Sequence, residues 1–151
     1  MRETKYRAYD KIAKVMIPNV AVYEDGTHLG MGIELAKSVY SKDYDFEAAS
    51  NIEYGENDWL YLMCDFELIQ FTGLKDKNKK EIYEGDVCDP DGVIGQYEIK
   101  WSEHYGRIMA VCITYVNICG GSLEVSSMTR GTIIGNIYQN PELLEGGGKV
   151  K

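Results

Sequence analysis

The sequence predicts a mainly β protein with a small amount of helix, in which an N-terminal β-rich subdomain is packed on a C-terminal small β-barrel. Its aromatic residues are twelve tyrosines against three phenylalanines and two tryptophans. Tyrosine suits half-buried strands, because its ring packs while its hydroxyl reaches water or a polar partner. From Val93 to Trp101, apolar Val93, Tyr97, Ile99 and Trp101 alternate with polar residues, the two-residue period of a strand with one buried face.

The N-terminal subdomain is predicted to span residues 1–66. Thr4–Ala8 and Asn19–Tyr23 read as short strands. Gly32–Tyr40 fits either a short helix or a strand, and its apolar spacing favours the helix. Positions 43–58 carry six acidic residues and no basic one, which indicates a surface loop or a short amphipathic piece. The apolar block Trp59–Cys64 is expected to supply part of the core.

The C-terminal subdomain is predicted to span residues 67–145, before a flexible tail at 146–151. Gly106 and the Gly120-Gly121 pair mark turns between its strands. Five short strands at this spacing predict a barrel of SH3-like or OB-like size. The predicted strands are Asp86–Cys88, Val93–Trp101, Arg107–Ile118, Leu123–Val125 and Thr132–Ile137.

The run from Gln70 to Val87 is the most informative part of the chain. An apolar strand end is followed by a predicted tight turn at Gly73, a solvated lysine-rich excursion, and a second turn at Gly85 that launches another strand. Asn140-Pro141 predicts the turn that closes the last strand, because proline removes a donor and restricts the preceding residue. These residues predict features of the fold rather than an active site.

Sixteen basic residues against twenty-four acidic ones give the chain a formal net charge of −8. This charge opposes sequence-independent binding to a phosphate backbone, which depends on counterion release by lysine and arginine. The N-terminal segment is an exception to this acidic character. We interpret it as a solvated edge strand rather than a patch that binds nucleic acid. Its basic residues are Arg2, Lys5, Arg7, Lys11 and Lys14.

The four cysteines contain no CxxC pair, and the two histidines, His28 and His104, are far apart in sequence. No metal-ligand spacing is therefore present, and we expect no cofactor. Cys112 lies in an apolar stretch and is predicted to be a buried structural thiol. The sequence shows no signal-peptide layout and no apolar run of about eighteen residues that could span a bilayer. These features predict a cytoplasmic protein with reduced thiols and no membrane partner.

Aromatic residues beside the acidic segment are the candidates for a partner surface. They combine rigid aromatic area with charge, although core packing is the ordinary use of such side chains. The predicted partner surface comprises Asp43, Asp45, Glu47, Tyr54, Trp59 and Tyr61.

Three blocks of the chain carry a family resemblance, namely Met1–Asp10, Leu68–Val87, which includes the run described above, and Gly135–Leu144. In sequence and in order they resemble the YopX family of small phage and prophage proteins. One departure is Lys79, where the family often has glycine, so we expect Asn78 to supply a left-handed residue or the loop to be longer. The resemblance implies a mainly β fold ending in an SH3-like barrel and a phage or prophage setting. It implies no established activity, because the family is known by sequence rather than by chemistry.

The preferred function is a non-enzymatic interaction module that binds a host or phage protein through a barrel rim or the acidic segment. An acidic chain is suited to basic partners, including nucleic-acid-binding proteins. Self-association through edge strands, which would give homo-oligomers, is a further hypothesis that the sequence does not decide.

Two other functions also stay open. A nucleic-acid accessory domain would use the barrel and aromatic stacking, and clustering of its basic side chains would support it. A carboxylate-based enzyme would draw an acid–base pair from Glu81, Glu84 and Asp86, but these residues also fit an ordinary strand-launching turn, which we favour. The basic side chains whose clustering would support nucleic-acid binding are Lys5, Arg7, Lys11 and Lys100.

Overall fold

The computed structural model describes residues 5–22, 29–32, 38–40, 52–54, 59–62, 66–114 and 121–145. These residues form a mainly β protein, as the sequence predicts. The strands are β1 (Tyr6–Asp10), β2 (Val15–Ile17), β3 (Ala21–Val22), β4 (Leu29–Gly32), β5 (Ile52–Tyr54), β6 (Trp59–Leu62), β7 (Phe66–Lys75), β8 (Glu81–Tyr83), β9 (Asp86–Asp89), β10 (Tyr97–Ser102), β11 (Arg107–Cys112), β12 (Ser122–Glu124) and β13 (Thr132–Asn136). A 3-10 helix (Val125–Arg130) precedes β13, and a short helix α1 (Glu142–Glu145) follows it.

The chain forms two compact units, an N-terminal unit from Lys5 to Ile69 and a C-terminal unit from Gln70 onward. β7 runs across the boundary between them. The predicted division after residue 66 also falls within this strand. No helix in the described part of the chain is long and apolar enough to cross a membrane.

The N-terminal unit contains an antiparallel β1–β2 pair, in which Ala8 lies opposite Ile17 and both are fully buried. The buried carboxylate of Asp10 fixes the turn between these strands, because its Oδ1 accepts hydrogen bonds from the N–H groups of Ile12 (2.8 Å) and Ala13 (2.9 Å). Its Oδ2 accepts a third from the hydroxyl of Tyr40 at 2.7 Å. The strand that follows this turn, β2, was not predicted.

A second sheet of the N-terminal unit has the strand order β3-β4-β6-β5. β3 is shorter than the predicted strand Asn19–Tyr23, and β6 begins the predicted apolar block Trp59–Cys64. Of the predicted helix at Gly32–Tyr40, Ser38 and Val39 are helical and Gly32 ends β4, while residues 33–37 lie outside the described residues.

The C-terminal unit is built on a five-stranded sheet with the order β12-β11-β10-β9-β13, in which neighbouring strands are antiparallel. Each of the five predicted strands of this half is present, with changed bounds: β9 is one residue longer than predicted, β12 lies one residue earlier, and β10, β11 and β13 are shorter. The strand predicted from Val93 begins at Tyr97, because Gly92 and Gly95 have positive φ angles and the chain turns there. The sheet buries a core made of Ile82, Cys88, Tyr97, Ile99, Ala110, Cys112, Val125, Met128 and Ile133.

The turn between β7 and β8 corrects two predictions. Gly73 has φ +84 but lies inside β7, where the register with β8 shifts between Phe71 and Lys75, so it marks a bulge rather than a turn. Lys79, with φ +68, is itself the left-handed residue of the loop. Asn78 is not the left-handed residue. Its N–H donates to the side chain of Asp76, two residues earlier, and this hydrogen bond holds Asn78 in the turn.

Asp76 holds this turn against β13. Its carboxylate is only 3% exposed, and Oδ1 accepts hydrogen bonds from the N–H groups of Asn78 (2.8 Å) and Lys80 (3.0 Å). Oδ2 accepts one from the N–H of Ile133, 57 residues further along the chain, at 3.2 Å. The N–H of Lys77 adds a backbone bond to Gly131 O at 3.1 Å. The loop therefore supplies an acceptor to the edge strand β13 and a donor to the residue before it, which leaves fewer free groups for pairing with another chain.

We expect acid to remove the stability that Asp76 provides. Burial alone would raise the pKa of Asp76, but hydrogen bonds from the N–H groups of Ile133, Lys80 and Asn78, with the charge of Lys80, lower it below the usual 3.8. A carboxyl whose folded-state pKa is below its unfolded-state value stabilises the fold fully above about pH 5 and loses that contribution as the pH falls through the folded-state pKa.

Urea unfolding of the wild type and of Asp76→Asn from neutral to strongly acidic pH measures this contribution. The difference in free energy of unfolding should be constant down to about pH 5 and should shrink below it. A difference that grows in acid would show that the carboxyl is protonated in the folded protein.

Candidate functional site

The predicted partner surface is only partly within the described residues. Asp43, Asp45 and Glu47 lie outside them. Tyr54 is in β5 and Trp59 and Tyr61 are in β6, and these two strands are antiparallel neighbours. Tyr61 lies in register with Glu53, whereas Tyr54 lies in register with Leu60. The assignment of this surface to a partner stays a prediction.

Each of the three candidate catalytic carboxylates accepts a hydrogen bond from a neighbouring group of the fold. Glu81 accepts a hydrogen bond from the hydroxyl of Tyr83 at 2.9 Å, and Asp86 accepts one from the N–H of Tyr83 at 2.8 Å. Burial raises the pKa of Glu84, and a hydrogen bond from the backbone N–H of Gln70 partly offsets this effect. Asp86 thus caps the turn before β9, the use of a carboxylate expected at a strand-launching turn.

The described cysteines show no sign of a nucleophile. Burial and the negative charges of Asp86 and Asp76 raise the pKa of the Cys88 thiol to about 12, so it is protonated at neutral pH. Cys112 is buried, as predicted, but it is disulfide-bonded, so the prediction of reduced thiols is wrong for this residue. Sequence spacing alone could not reveal such a pairing. Among the described residues, no three His, Cys, Asp or Glu side chains are placed to hold a metal ion.

The β10–β11 hairpin exposes a group of aromatic side chains that the sequence did not identify. Trp101 is 56% exposed and Tyr105 is 52% exposed. The rings of His104 and Tyr105 meet edge to face, with 4.7 Å between centroids. The guanidinium carbon of Arg107 lies 5.8 Å from the centroid of the Tyr105 ring, within the range of a cation–π interaction.

An open cleft of about 310 Å³ lies beside this hairpin. This volume is at the lower end of the range of roughly 300–1,000 Å³ for ligand pockets, so it suits a single side chain better than a large cofactor. The hydroxyl of Thr72 is already engaged, since it donates to Ile82 O at 2.7 Å. By contrast, no other described residue engages the side-chain amide of Gln70 or the indole N–H of Trp101. The lining residues are Gln70, Thr72, Trp101, Gly106, Arg107, Ile108 and Val125.

The charges of the hairpin are balanced. Two carboxylates, Glu98 and Glu103, accompany two cations, Lys100 and Arg107. Lys100 lies 3.0 Å from the carboxylate of Glu98, and Arg107 forms an ion pair with Glu124 of β12. The hairpin therefore lacks the excess positive charge of a surface that binds phosphates.

Two of the four basic residues invoked for nucleic-acid binding are paired with carboxylates inside their own units. Lys11 lies 3.1 Å from Glu67 in the N-terminal unit, and Lys100 is paired with Glu98 in the C-terminal unit. These ion pairs reduce the charge that either lysine offers to a nucleic acid.

Trp101 was predicted to face inward with Tyr97 and Ile99, and this prediction is wrong. Tyr97 and Ile99 are buried, but the strand continues past the core, so the next residue of the same alternation is exposed. The turn predicted at Gly106 could have indicated that Trp101 is exposed, because residues next to a hairpin turn tend to lie beyond the packed face of the sheet. Alternation alone predicts which face of the sheet a side chain lies on. It does not predict whether another part of the protein covers that side chain.

Comparisons with known proteins agree with the fold. A family model described as YopX protein matches residues 5–145. The crystal structure of protein EF1440 from Enterococcus faecalis is 24% identical, has a TM-score of 0.50, and the match covers 95% of this chain and 99% of that one. The crystal structure of protein yopX from Bacillus subtilis is 17% identical, has a TM-score of 0.51, and the match has the same coverage. At these identities the two structures show the fold alone. No curated protein matches this chain.

Proposed function

The chain belongs to the YopX family, and from that premise we propose that it is a non-enzymatic module that binds a phage or host protein through the β10–β11 hairpin. The observation that carries the proposal is Trp101, more than half exposed at the edge of a cleft. Tryptophan, tyrosine and arginine dominate the binding energy of protein interfaces, and Tyr105 and Arg107 accompany Trp101 here.

The exposed tryptophan has an energetic consequence. Covering its exposed face would contribute about 2–3 kcal/mol, at about 25 cal/mol per Å² of apolar surface removed from water. A partner that buries this ring and fills the adjacent cleft would thereby gain a central contact of the kind seen at interface hot spots.

The charge pattern favours a protein partner over a nucleic acid. The hairpin carries equal numbers of acidic and basic residues, and the whole chain has a net charge of −8. Stacking of bases on exposed aromatic rings is still the second candidate function, because Trp101 and Tyr105 offer the surfaces that single strands use.

The proposed setting is the cytoplasm of a bacterium that carries a phage or prophage, as the family resemblance implies. The disulfide at Cys112 is the observation that counts against a reducing compartment, because disulfides are rare in the cytosol.

Affinity capture from a bacterial lysate with tagged wild-type protein and tagged Trp101→Ala tests the proposal. We expect a stoichiometric protein that survives nuclease treatment and is bound about thirtyfold more weakly by the variant, which corresponds to about 2 kcal/mol. Ile94→Ala is the matched control, because Ile94 is a more exposed apolar side chain of the same unit outside the hairpin. Its capture should equal that of the wild type.

Other results would replace the proposal. Capture that is unaffected by Trp101→Ala but lost in Trp59→Ala would assign binding to the surface predicted from the sequence. Recovery of nucleic acid that is lost at high salt would instead make the chain a nucleic-acid accessory domain. Circular dichroism of each variant, matched to the wild type, ensures that loss of capture is not loss of folding.

A further inference from the structure

We infer that the group recognised at this hairpin is a tyrosine side chain of the partner, whose ring enters the cleft beside Trp101 and whose hydroxyl bonds the side-chain amide of Gln70. The inference rests on the proposed function and specifies which side chain of the partner the cleft holds. Every contact that it invokes is with a residue that lines the cleft and belongs to the C-terminal unit.

The walls of the cleft suit the apolar body of such a side chain. Trp101 lies directly opposite Ile108 in the register of β10 and β11, so the two side chains share one face of the sheet. By strand alternation this is also the face of the buried residues Tyr97 and Ile99. Ile108 packs against the hydrophobic core, and Val125 is part of that core. The cleft is therefore an open end of the core, and a ring that enters it continues the packing.

Two side chains of the cleft offer hydrogen-bonding groups that no other described residue uses, namely the amide of Gln70 and the indole N–H of Trp101. The hydroxyl of Thr72, by contrast, is used twice, since it donates to Ile82 O and accepts from the N–H of Leu74 at 3.2 Å. An occupant that buried the Gln70 amide without a partner would cost the hydrogen bonds that the amide makes with water. The ligand therefore needs a polar group on an otherwise apolar body.

Tyrosine is the side chain that best meets both requirements. Its hydroxyl donates and accepts, so it can pair with either the oxygen or the NH₂ group of the Gln70 amide, whereas the indole of a tryptophan only donates. An aromatic ring also gains from contact with the ring of Trp101, which an aliphatic side chain does not. The volume of the cleft, about 310 Å³, suits one large side chain. A backbone carbonyl of the same segment can accept from the indole N–H of Trp101.

The charges at the cleft favour a neutral occupant. Arg107 is the only charged residue among the described residues that line it. It lies opposite Ser102, one position from the Trp101–Ile108 pair. Strand alternation therefore places the Arg107 side chain on the other face of the sheet, where it pairs with Glu124. A phosphorylated tyrosine would bring negative charge to a chain of net charge −8, so the inference specifies the unmodified side chain.

Peptide titration of the full-length protein, labelled with nitrogen-15, tests the inference by NMR. The probes are acetyl-Ala-Ala-Tyr-Ala-Ala-amide and the same peptide with phenylalanine, leucine or phosphotyrosine at its centre. The reporter is the indole N–H resonance of Trp101, assigned with Trp101→Phe, and the indole of Trp59 is the internal reference. We expect a saturable shift with the tyrosine peptide, binding about fivefold weaker with phenylalanine, weaker still with leucine, and no shift with phosphotyrosine.

Replacing Gln70 separates the contribution of the hydroxyl from that of the ring. Gln70→Leu keeps a side chain of similar size but removes the amide, so the tyrosine and phenylalanine peptides should bind this variant equally well. Gln96→Leu is the matched control, because Gln96 belongs to the same unit, is not among the residues that line the cleft, and makes its described hydrogen bonds through its backbone. It should keep the preference for tyrosine. Circular dichroism checks that each variant is folded, and the two peptides remain a test with the wild-type protein alone.

Several outcomes would overturn the inference. These are equal binding of the tyrosine and phenylalanine peptides to the wild type, a preference for tyrosine that survives Gln70→Leu, and a saturable Trp101 shift with octathymidylate but not with the tyrosine peptide. If capture from the lysate depends on Trp101 while the tyrosine peptide does not bind, the inference alone fails. If capture does not depend on Trp101, the proposed function fails as well.

Discussion

Asp76→Ala is expected to lower the free energy of unfolding by about 3 kcal/mol, because it leaves three backbone N–H groups without their acceptor. The N–H of Ile133 is buried, so its loss accounts for most of the effect. The N–H groups of Asn78 and Lys80 lie in an exposed turn, where water can replace the carboxylate. Asp76→Asn should have a smaller effect, because an amide oxygen can keep some of the bonds while its NH₂ group cannot accept from an N–H.

Equilibrium urea unfolding, followed by circular dichroism, measures this effect. Asp91→Ala is the matched control, because it removes a carboxylate near the same loop that is paired with the exposed side chain of Lys77, at 3.0 Å. Its effect should be below about 1 kcal/mol. If the two alanine variants lost the same stability, the bonds from Asp76 to the backbone would contribute no more than a surface ion pair.

Asp76 also shows what the sequence can and cannot predict. An aspartate at the start of a loop suggests a local turn, and its bonds to Asn78 and Lys80 are of that kind. Its bond to Ile133 joins residues 57 positions apart and depends on β13 lying beside the loop. Periodicity and turn chemistry act over a few residues, so they predicted the five strands of the C-terminal sheet but not this tertiary contact.

The short range of sequence patterns also explains why the candidate site was not predicted. Composition directed attention to the aromatic residues next to the acidic segment, while the exposed aromatic side chains that the structure describes are Trp101 and Tyr105. Whether an aromatic ring packs in a core or stays exposed depends on what lies opposite it in the fold. Trp101 lies in register with Ile108 on the neighbouring strand, near the end of the hairpin and beyond the buried Tyr97 and Ile99.

Gly85→Ala is expected to destabilise the protein by about 3 kcal/mol, since it combines an unfavourable backbone conformation with overpacking. Gly85 has φ +75, and a Cβ built there would lie 2.6 Å from Cε2 of Tyr138. The backbone cannot easily move away, because its N–H donates to Ile99 O at 2.6 Å and its carbonyl accepts from Ile137 N at 2.9 Å. The turn predicted from sequence at this position therefore requires glycine for two separate reasons.

Gly92→Ala separates the two reasons. Gly92 has φ +76, nearly the same angle, but nothing lies within 4 Å of its added Cβ. It should lose only about 1 kcal/mol, the conformational part of the effect. The difference between the two variants, measured by urea unfolding, then reports the contact with the Tyr138 ring.

A double-mutant cycle with Tyr138→Ala completes the argument. If the ring causes the excess loss, Gly85→Ala should destabilise the Tyr138→Ala background by about 1 kcal/mol, as Gly92→Ala does in the wild type. Equal losses for Gly85→Ala in both backgrounds would mean that the Tyr138 ring moves aside at no cost. In that case the left-handed backbone alone would explain the requirement for glycine, and Gly85→Asn, which tolerates that conformation better than alanine, would recover part of the stability.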